Sequence, residues 1–426
     1  MNECSRRAAR WTASLAFLAG LPLSAAPLPR AVPEEVGMSS VGLERMSEVL
    51  GGYVEEGKLV GCVALVARRG RVVYLEAFGE RDREARAAMR PDDIFRIASQ
   101  SKALVSAAAM ILQEEGRLLL SDPVGRYIPA FEKTTVAVRK EEGGYDVVPA
   151  ERPVTIRHLL THTAGVGYGG GDAEDLWKEA GIQGWYFADR DEAIAATVDR
   201  IAGLPFEAQP GARWVYGYST DILGAVVEKA SGQPLDAFLE ERLLGPLGME
   251  DTHFYLPREK RDRLTVVYST SEDGRIERAP DPGGMIGQGA YVDGPRRSFS
   301  GGAGLLSTAE DYARFLQMVA NGGSLGERRV LAPSTVRLMT VDHVGDLLQR
   351  PGAGFGLGFS VLEDLGERGS PGSVGEVGWG GAYHSTYWID PQLELVAVYL
   401  TQLIPAGSID DHGRFRALVY AAVVEE

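Results

Sequence analysis

The arrangement of apolar and polar positions changes character twice along the chain. Residues 61–68 (GCVALVAR) form an almost unbroken apolar run, and 71–78 (RVVYLEAF) form a second β-rich one. Arg69-Gly70 between them predicts a hairpin. Over 103–115 (ALVSAAAMILQEE) apolar side chains occupy nearly every face of a helical repeat until Gly116, the pattern of a buried helix. From about 117 to 300, helical patterns alternate with Pro- and Gly-rich loops. Helices are expected over 220–230, ended near Gly232, and over 235–244, ended at Gly245-Pro246. Strand patterns return at 354–364, 382–390 and 393–402, the last two around Pro391-Gln392. Phe415, Leu418, Val419 and Ala422 mark a final helix.

Strands at both ends with hairpin spacing imply one mainly antiparallel sheet built from both chain ends and flanked by helices. The middle is then an inserted, mostly helical domain, so the fold class is α/β of the α+β type. The expected division is 34–116 with 300–426 as the α/β domain and 117–299 as the insertion. Residues 134–153 read as a surface hairpin within a lid-like region, 134–187. The Gly- and aromatic-rich stretch 165–187 (Tyr168, Trp177, Trp185, Tyr186, Phe187) suits either a cover over an apolar cavity or an ordinary packed loop.

Composition narrows the function. Lys+Arg number 44 against 59 Asp+Glu, a net charge of −15, and no basic run appears, which speaks against a nucleic-acid partner. Two cysteines without C-x-x-C spacing and six histidines exclude most zinc modules. Arg6, Arg7 and Arg10 precede an uncharged stretch that closes on Ser24-Ala25-Ala26, the pattern of a cleavable export leader over 1–26. The run is too short and too interrupted for a good membrane span. Export to the periplasm or outside is therefore expected, with a cytoplasmic location if the leader is not processed. Cys62 would remain alone in its strand, as a small buried hydrophobe.

Candidate chemistry lies just before the buried helix, in IFRIASQSK (94–102). Ser99 and Lys102 are three residues apart, which on a helix is about 300° of rotation and about 4.5 Å of rise, so they share a face. A serine hydroxyl needs a base to become a nucleophile, and a buried lysine that loses its charge can be one. His158 and His162 have the spacing of a metal pair, but Leu159 stands where a zinc protease carries Glu, so both read as structural. His384 reads first as a cross-strand packing residue. No G-x-S-x-G elbow occurs, which disfavours an α/β-hydrolase triad.

The segment 94–124 (IFRIASQSKALVSAAAMILQEEGRLLLSDPV) resembles the active-site helix of the serine β-lactamase and penicillin-binding-protein superfamily, class C-like and closest to family VIII carboxylesterases. Further matches follow in order: TIRHLLTHTAG (155–165), PGARWVY (210–216), GPLGMEDT (245–252), GGAGLLST (301–308) and GWGG (378–381). The resemblance implies catalysis by Ser99 and Lys102 with a facing tyrosine. The family VIII register favours Tyr216, with Tyr218 as runner-up; neither Tyr216-Gly217-Tyr218 nor Tyr218-Ser219-Thr220 ends in the Asn of Y-x-N. It also implies an oxyanion hole from the N–H groups of Ser99 and Ala382, and substrate binding by Trp379, Gly380 and Gly381. Where β-lactamases place a cation in the third motif, this chain has Trp379, which suits a neutral ester better than an anionic antibiotic.

The expected function is a serine hydrolase that cleaves carboxylic esters, with short acyl chains, through an acyl-Ser99 intermediate. A small-molecule ester is the partner, and no metal or cofactor is implied. Rival readings are a β-lactamase or D,D-peptidase, an acyltransferase, and a non-catalytic envelope binding protein; the last would have no reason to keep Ser99, Lys102 and Tyr216 together.

Overall fold

The computed structural model describes residues 27–425. The expected leader, 1–26, lies outside the described residues. No helix among the described residues is long and apolar enough to cross a membrane.

Strands β1 (Gly61–Arg68) and β2 (Arg71–Asp82) form the hairpin, turning through Arg69 and Gly70 at φ 49° and 72°. Two successive left-handed residues match the twist of the paired strands. A short β3 (Ala87–Ala88) follows on the sheet edge. Five late strands complete the sheet: β4 (Ala353–Phe355), β5 (Ser360–Leu362), β6 (Val377–Gly381), β7 (Ser385–Asp390) and β8 (Leu395–Leu400). The order is β4-β5-β6-β7-β8-β1-β2-β3, antiparallel throughout. The first and last long strands meet at its centre, Val63 opposite Leu400 and Ala67 opposite Val396.

The apolar run in β1 has a physical cause, because both faces of the sheet are covered. Val63, Leu65 and Ala67 enter one core, while Cys62, Ala64 and Val66 enter another. β8 divides the same way, with Val396, Val398 and Leu400 on the first side and Leu395, Ala397 and Tyr399 on the second. The second side is closed by α1 (Ser40–Glu55), through Leu43, Met46 and Leu50, together with the C-terminal helix through Phe415 and Val419. Ser39 caps α1 by accepting the Gly42 N–H at 3.1 Å.

The first side is closed by α2 (Ser101–Glu114), buried from Ser101 to Leu112. Its other flank meets the helical layer of α3 (Ile156–Leu160), α4 (Ser219–Ser231) and α5 (Leu235–Leu239). Helix α6 (Ala309–Ala320), capped by Thr308 accepting the Asp311 N–H, packs on β8 and β1. α7 (Asp411–Ala421) ends the chain. A small hairpin over 135–149 lies in the middle segment.

Three local expectations are corrected. The helix from 235 does not stop at Gly245-Pro246. It widens to a π turn at Glu240–Leu244, runs on through Gly245–Leu247, and ends at Gly248 with φ 66°. A proline ring crowds the carbonyl one turn back, and the wider turn accommodates it. The run 354–364 is not one strand: Gly356 and Gly358 (φ 96°) let the chain reverse, and β4 and β5 form a hairpin. Residues 382–384 belong to a turn, with His384 at φ 60°.

The side chain of Leu104 is wholly buried in the core between sheet and helical layer. Leu104→Ala is expected to cost about 2–5 kcal/mol, seen as a lower midpoint in chemical denaturation.

Candidate active site

The sequence before α2 builds a turn that aims Ser99 at the helical layer. Phe95 and Arg96 pair with Ser307 and Leu306. The Ile97 N–H then donates to the Leu305 carbonyl at 3.1 Å. Ala98 adopts φ 43°, a strained conformation for a residue with a Cβ, and Ala98–Gln100 make one 3-10 turn. Ser99 therefore sits on that turn rather than inside α2. The turn is pinned from behind: Tyr312 Oη donates to the Gln100 carbonyl at 2.9 Å, and the Leu305 N–H donates to Ser101 Oγ at 3.0 Å.

Lys102 projects from the first turn of α2 and is 2 % exposed. Its ammonium donates to the Gly302 carbonyl at 2.7 Å, to Tyr168 Oη at 3.0 Å and to Ser99 Oγ at 3.4 Å. It also lies 4.7 Å from the centre of the Tyr216 ring. Burial alone would push this ammonium toward neutrality. The phenols of Tyr168 and Tyr216 and the Asp221 carboxylate outweigh it and hold its pKa above the ordinary lysine value. Lys102 is thus ringed by oxygen acceptors, and this direction is opposite to the loss of charge expected for a buried lysine.

Asp221 organises the far side of that cation. Its Oδ1 accepts Ser300 Oγ–H at 2.6 Å and the Gly302 N–H at 3.1 Å, which turns the Gly302 carbonyl toward Lys102. Burial holds the Asp221 carboxyl above the usual range, although Ser300 and Lys102 act the other way.

The two candidate tyrosines separate cleanly. Tyr216 is half-buried and lines the cavity with Ser99, and its Oη accepts the Trp379 Nε1–H at 2.9 Å. Tyr218 is fully buried, its ring stacked at 5.7 Å on Trp177, and its Oη donates to the Gly184 carbonyl at 2.7 Å. Tyr218 also occupies the place of Asn in Y-x-N, and it offers no amide to the cavity. Tyr168 was missed as a site residue, being read only as part of an aromatic-rich stretch. Its signal was a tyrosine set in Gly165-Val166-Gly167, glycines that bring this loop onto 216–218. A Cβ on Gly217 would lie 2.3 Å from the Gly167 carbonyl carbon. The glycine-rich run thus serves backbone packing.

The third motif forms the opposite wall. β6 carries Trp379, Gly380 and Gly381 to the turn that starts at Ala382. A Cβ on Gly381 would come 2.6 Å from the Ile97 carbonyl oxygen, so glycine lets this strand touch the turn that carries Ser99. Ser99, Trp379, Gly380, Gly381 and Ala382 all line one cavity of about 560 Å³, with Tyr168 and Trp185 opposite.

The Ala382 turn is anchored through His384. Its Nε2 pairs with Asp411 Oδ1 at 2.7 Å, and its ring stacks on His412 with centroids 4.0 Å apart. Tyr399 Oη donates to the other Asp411 oxygen at 2.8 Å. His384, Asp411 and His412 each bring a potential metal-ligand atom within 4.8 Å of the others. The imidazole planes are only 14° apart, so they do not aim two lone pairs at one point, and the cluster as it stands is an anchor. His158 and His162 do not share a helix face: α3 ends at Leu160 and His162 follows at φ 55°. His158 Nδ1 accepts the Thr155 N–H at 3.2 Å, completing a capping box. His162 packs at 4.7 Å on the Tyr216 ring, and its Nδ1 has no hydrogen-bond partner among the described residues.

The Beta-lactamase family profile matches residues 46–421, and the chain belongs to that family. It is 37% identical over 376 residues to Esterase EstB of Burkholderia gladioli, covering 85% of this chain and 91% of that one. It is 35% identical over 369 residues to Protein Rv1367c of Mycobacterium tuberculosis (strain ATCC 25618 / H37Rv), covering 84% and 89%. Among solved structures, EstCE1, a hydrolase with promiscuous acyltransferase activity, superposes with TM-score 0.78 at 31% identity, covering 90% and 98%. The protein is accordingly a serine hydrolase of the β-lactamase-like superfamily, with ester hydrolysis supported at the level of the family.

Tyr216→Phe is expected to lower kcat by about 10²–10⁴, and Tyr218→Phe to change it far less. Steady-state kinetics on both variants checks the assignment; the reverse order would put the proton path through Tyr218.

Proposed function

We propose that the protein hydrolyses carboxylic esters with short acyl chains through an acyl-Ser99 intermediate. The observation that carries this reading is the buried Lys102 ammonium 3.4 Å from Ser99 Oγ, with Ser99 and Tyr216 lining one cavity. In this reading Lys102 remains an ammonium, and Tyr216, as a phenolate, takes the proton leaving Ser99. Lys102 beside the phenol ring and the Trp379 N–H on its oxygen would stabilise negative charge there. Ser99 Oγ bonds to the ester carbonyl carbon. The carbonyl oxygen takes negative charge between the N–H groups of Ser99 and Ala382. Collapse breaks the ester C–O bond, and Tyr216 returns the proton to the leaving alcohol. Water then attacks acyl-Ser99 by the same path and releases the acid.

Tyr168, Trp185, Tyr216 and Trp379 give a cavity of about 560 Å³ aromatic walls that suit an apolar ester, and the short acyl chain is what the resemblance to family VIII carboxylesterases suggests. The β-lactamase or peptidase reading is weaker, since Tyr218 replaces the Asn of Y-x-N and Trp379 replaces the cation of the third motif. An alcohol in place of the second water would make the same intermediate an acyltransferase.

Intact mass after treatment with a fluorophosphonate should show one adduct, on Ser99, absent in Ser99→Ala. Turnover of p-nitrophenyl acetate should exceed that of nitrocefin. Labelling at another residue, or none, would sink the acyl-enzyme reading.

A further inference from the structure

The cavity that holds Ser99 also reaches three guanidinium groups. Arg350, Arg368 and Arg416 all line it, and Glu376 is the one acidic residue among its lining residues. Glu376 is already engaged, since Arg416 Nη2 and Tyr420 Oη both donate to it. Arg416 is further fixed by donating to the Pro371 carbonyl at 2.7 Å and by lying 5.0 Å from the Trp388 ring centre.

Neither Arg350 nor Arg368 forms an ion pair among the described residues, although Glu376 acts on Arg368 and Asp346, Glu363, Asp364 and Glu367 line the adjoining cavity with Arg350. The Arg350 guanidinium lies 5.6 Å from the centre of the Trp379 ring, whose N–H holds Tyr216 Oη. Asp342, on the same loop, is turned away to the N–H groups of Val344, Gly345 and Phe355. Among the described residues the Arg368 side chain donates only to Ser370 Oγ, at 3.3 Å. Arg368 is an exposed residue, but partial desolvation of its guanidinium and the charges of Arg416 and Arg350 hold its pKa below the ordinary arginine value, with Glu376 acting the other way. The cationic groups therefore repel one another across the cavity, in a chain whose net charge is −15. An anion between them would relieve that repulsion, and a planar guanidinium matches a carboxylate.

We propose that Arg350 and Arg368 form an anion subsite in the cleft, and that the preferred ester carries a carboxylate on the part that reaches it. This rests on the esterase reading and deepens it. It also revises the expectation of a neutral substrate: the third motif itself lacks a cation, but Arg350 places one over its tryptophan. The carboxylate could belong to the acyl or to the alcohol part, and paired substrates separate the two.

The test compares kcat/KM at low ionic strength for the p-nitrophenyl monoester of glutarate against p-nitrophenyl valerate, and for para-carboxyphenyl butyrate against phenyl butyrate. In at least one pair the anionic ester should be favoured about tenfold or more. The ratio should fall toward unity in the double variant Arg350→Gln, Arg368→Gln, and shrink with added salt. No advantage in either pair, or one that survives the double substitution, overturns the subsite. Tryptophan fluorescence of the Ser99→Ala protein titrated with glutarate reads it without turnover. A saturable change removed by the double substitution supports the subsite, and no saturable change overturns it. Glutarate binding with no ester hydrolysed would instead sink the esterase reading and leave the subsite standing.

Discussion

A single buried cation organises the centre of this molecule. Taking an ammonium out of water costs several kcal/mol, and the fold meets that cost with three oxygen acceptors around Lys102: Gly302, Tyr168 and Ser99. Each comes from a different part of the chain. Tyr168 arrives on the glycine-rich loop, Gly302 is aimed by Asp221 from α4, and Ser99 rides on the turn before α2. Satisfying one charge therefore fixes the helical layer against the sheet at the point where the chemistry is proposed to occur.

The sheet supplies the second half of the site by a different means. Its central pairing joins the first long strand to the last, so the ends of the chain are locked together by backbone hydrogen bonds. β6 and β7 extend this sheet toward Ser99, and the turn between them is held by His384 on Asp411. Glycine at 381 removes the side chain that would keep β6 from the Ile97 carbonyl. A rigid strand end against a strained turn at Ala98 is the kind of preorganised pair an oxyanion site requires.

Much of this was legible along the chain. The hairpin at Arg69-Gly70 and the buried helix of α2 follow from local patterns, because periodicity and turn chemistry are properties of neighbouring residues. Ser99 and Lys102 could be singled out for the same reason, being three residues apart. The choice between Tyr216 and Tyr218 rested on motif register, and packing explains it: one ring faces Lys102 and the other is sealed under Trp177. The local errors were equally physical. A glycine-proline pair was read as a stop where a π turn absorbs it, and two glycines read as strand residues make a reversal.

Local order, then, determined the elements, the sheet contributed by both ends, and the serine–lysine pair. What only the tertiary structure decided is the set of acceptors around Lys102, the presence of Tyr168 among them, the Trp379 bond to Tyr216, and the approach of Arg350 and Arg368 to the same cleft. The Trp379–Tyr216 bond spans 163 positions in sequence and the Lys102–Gly302 bond 200. An electrostatic environment is a sum over groups close in space, and no spacing along the chain encodes it.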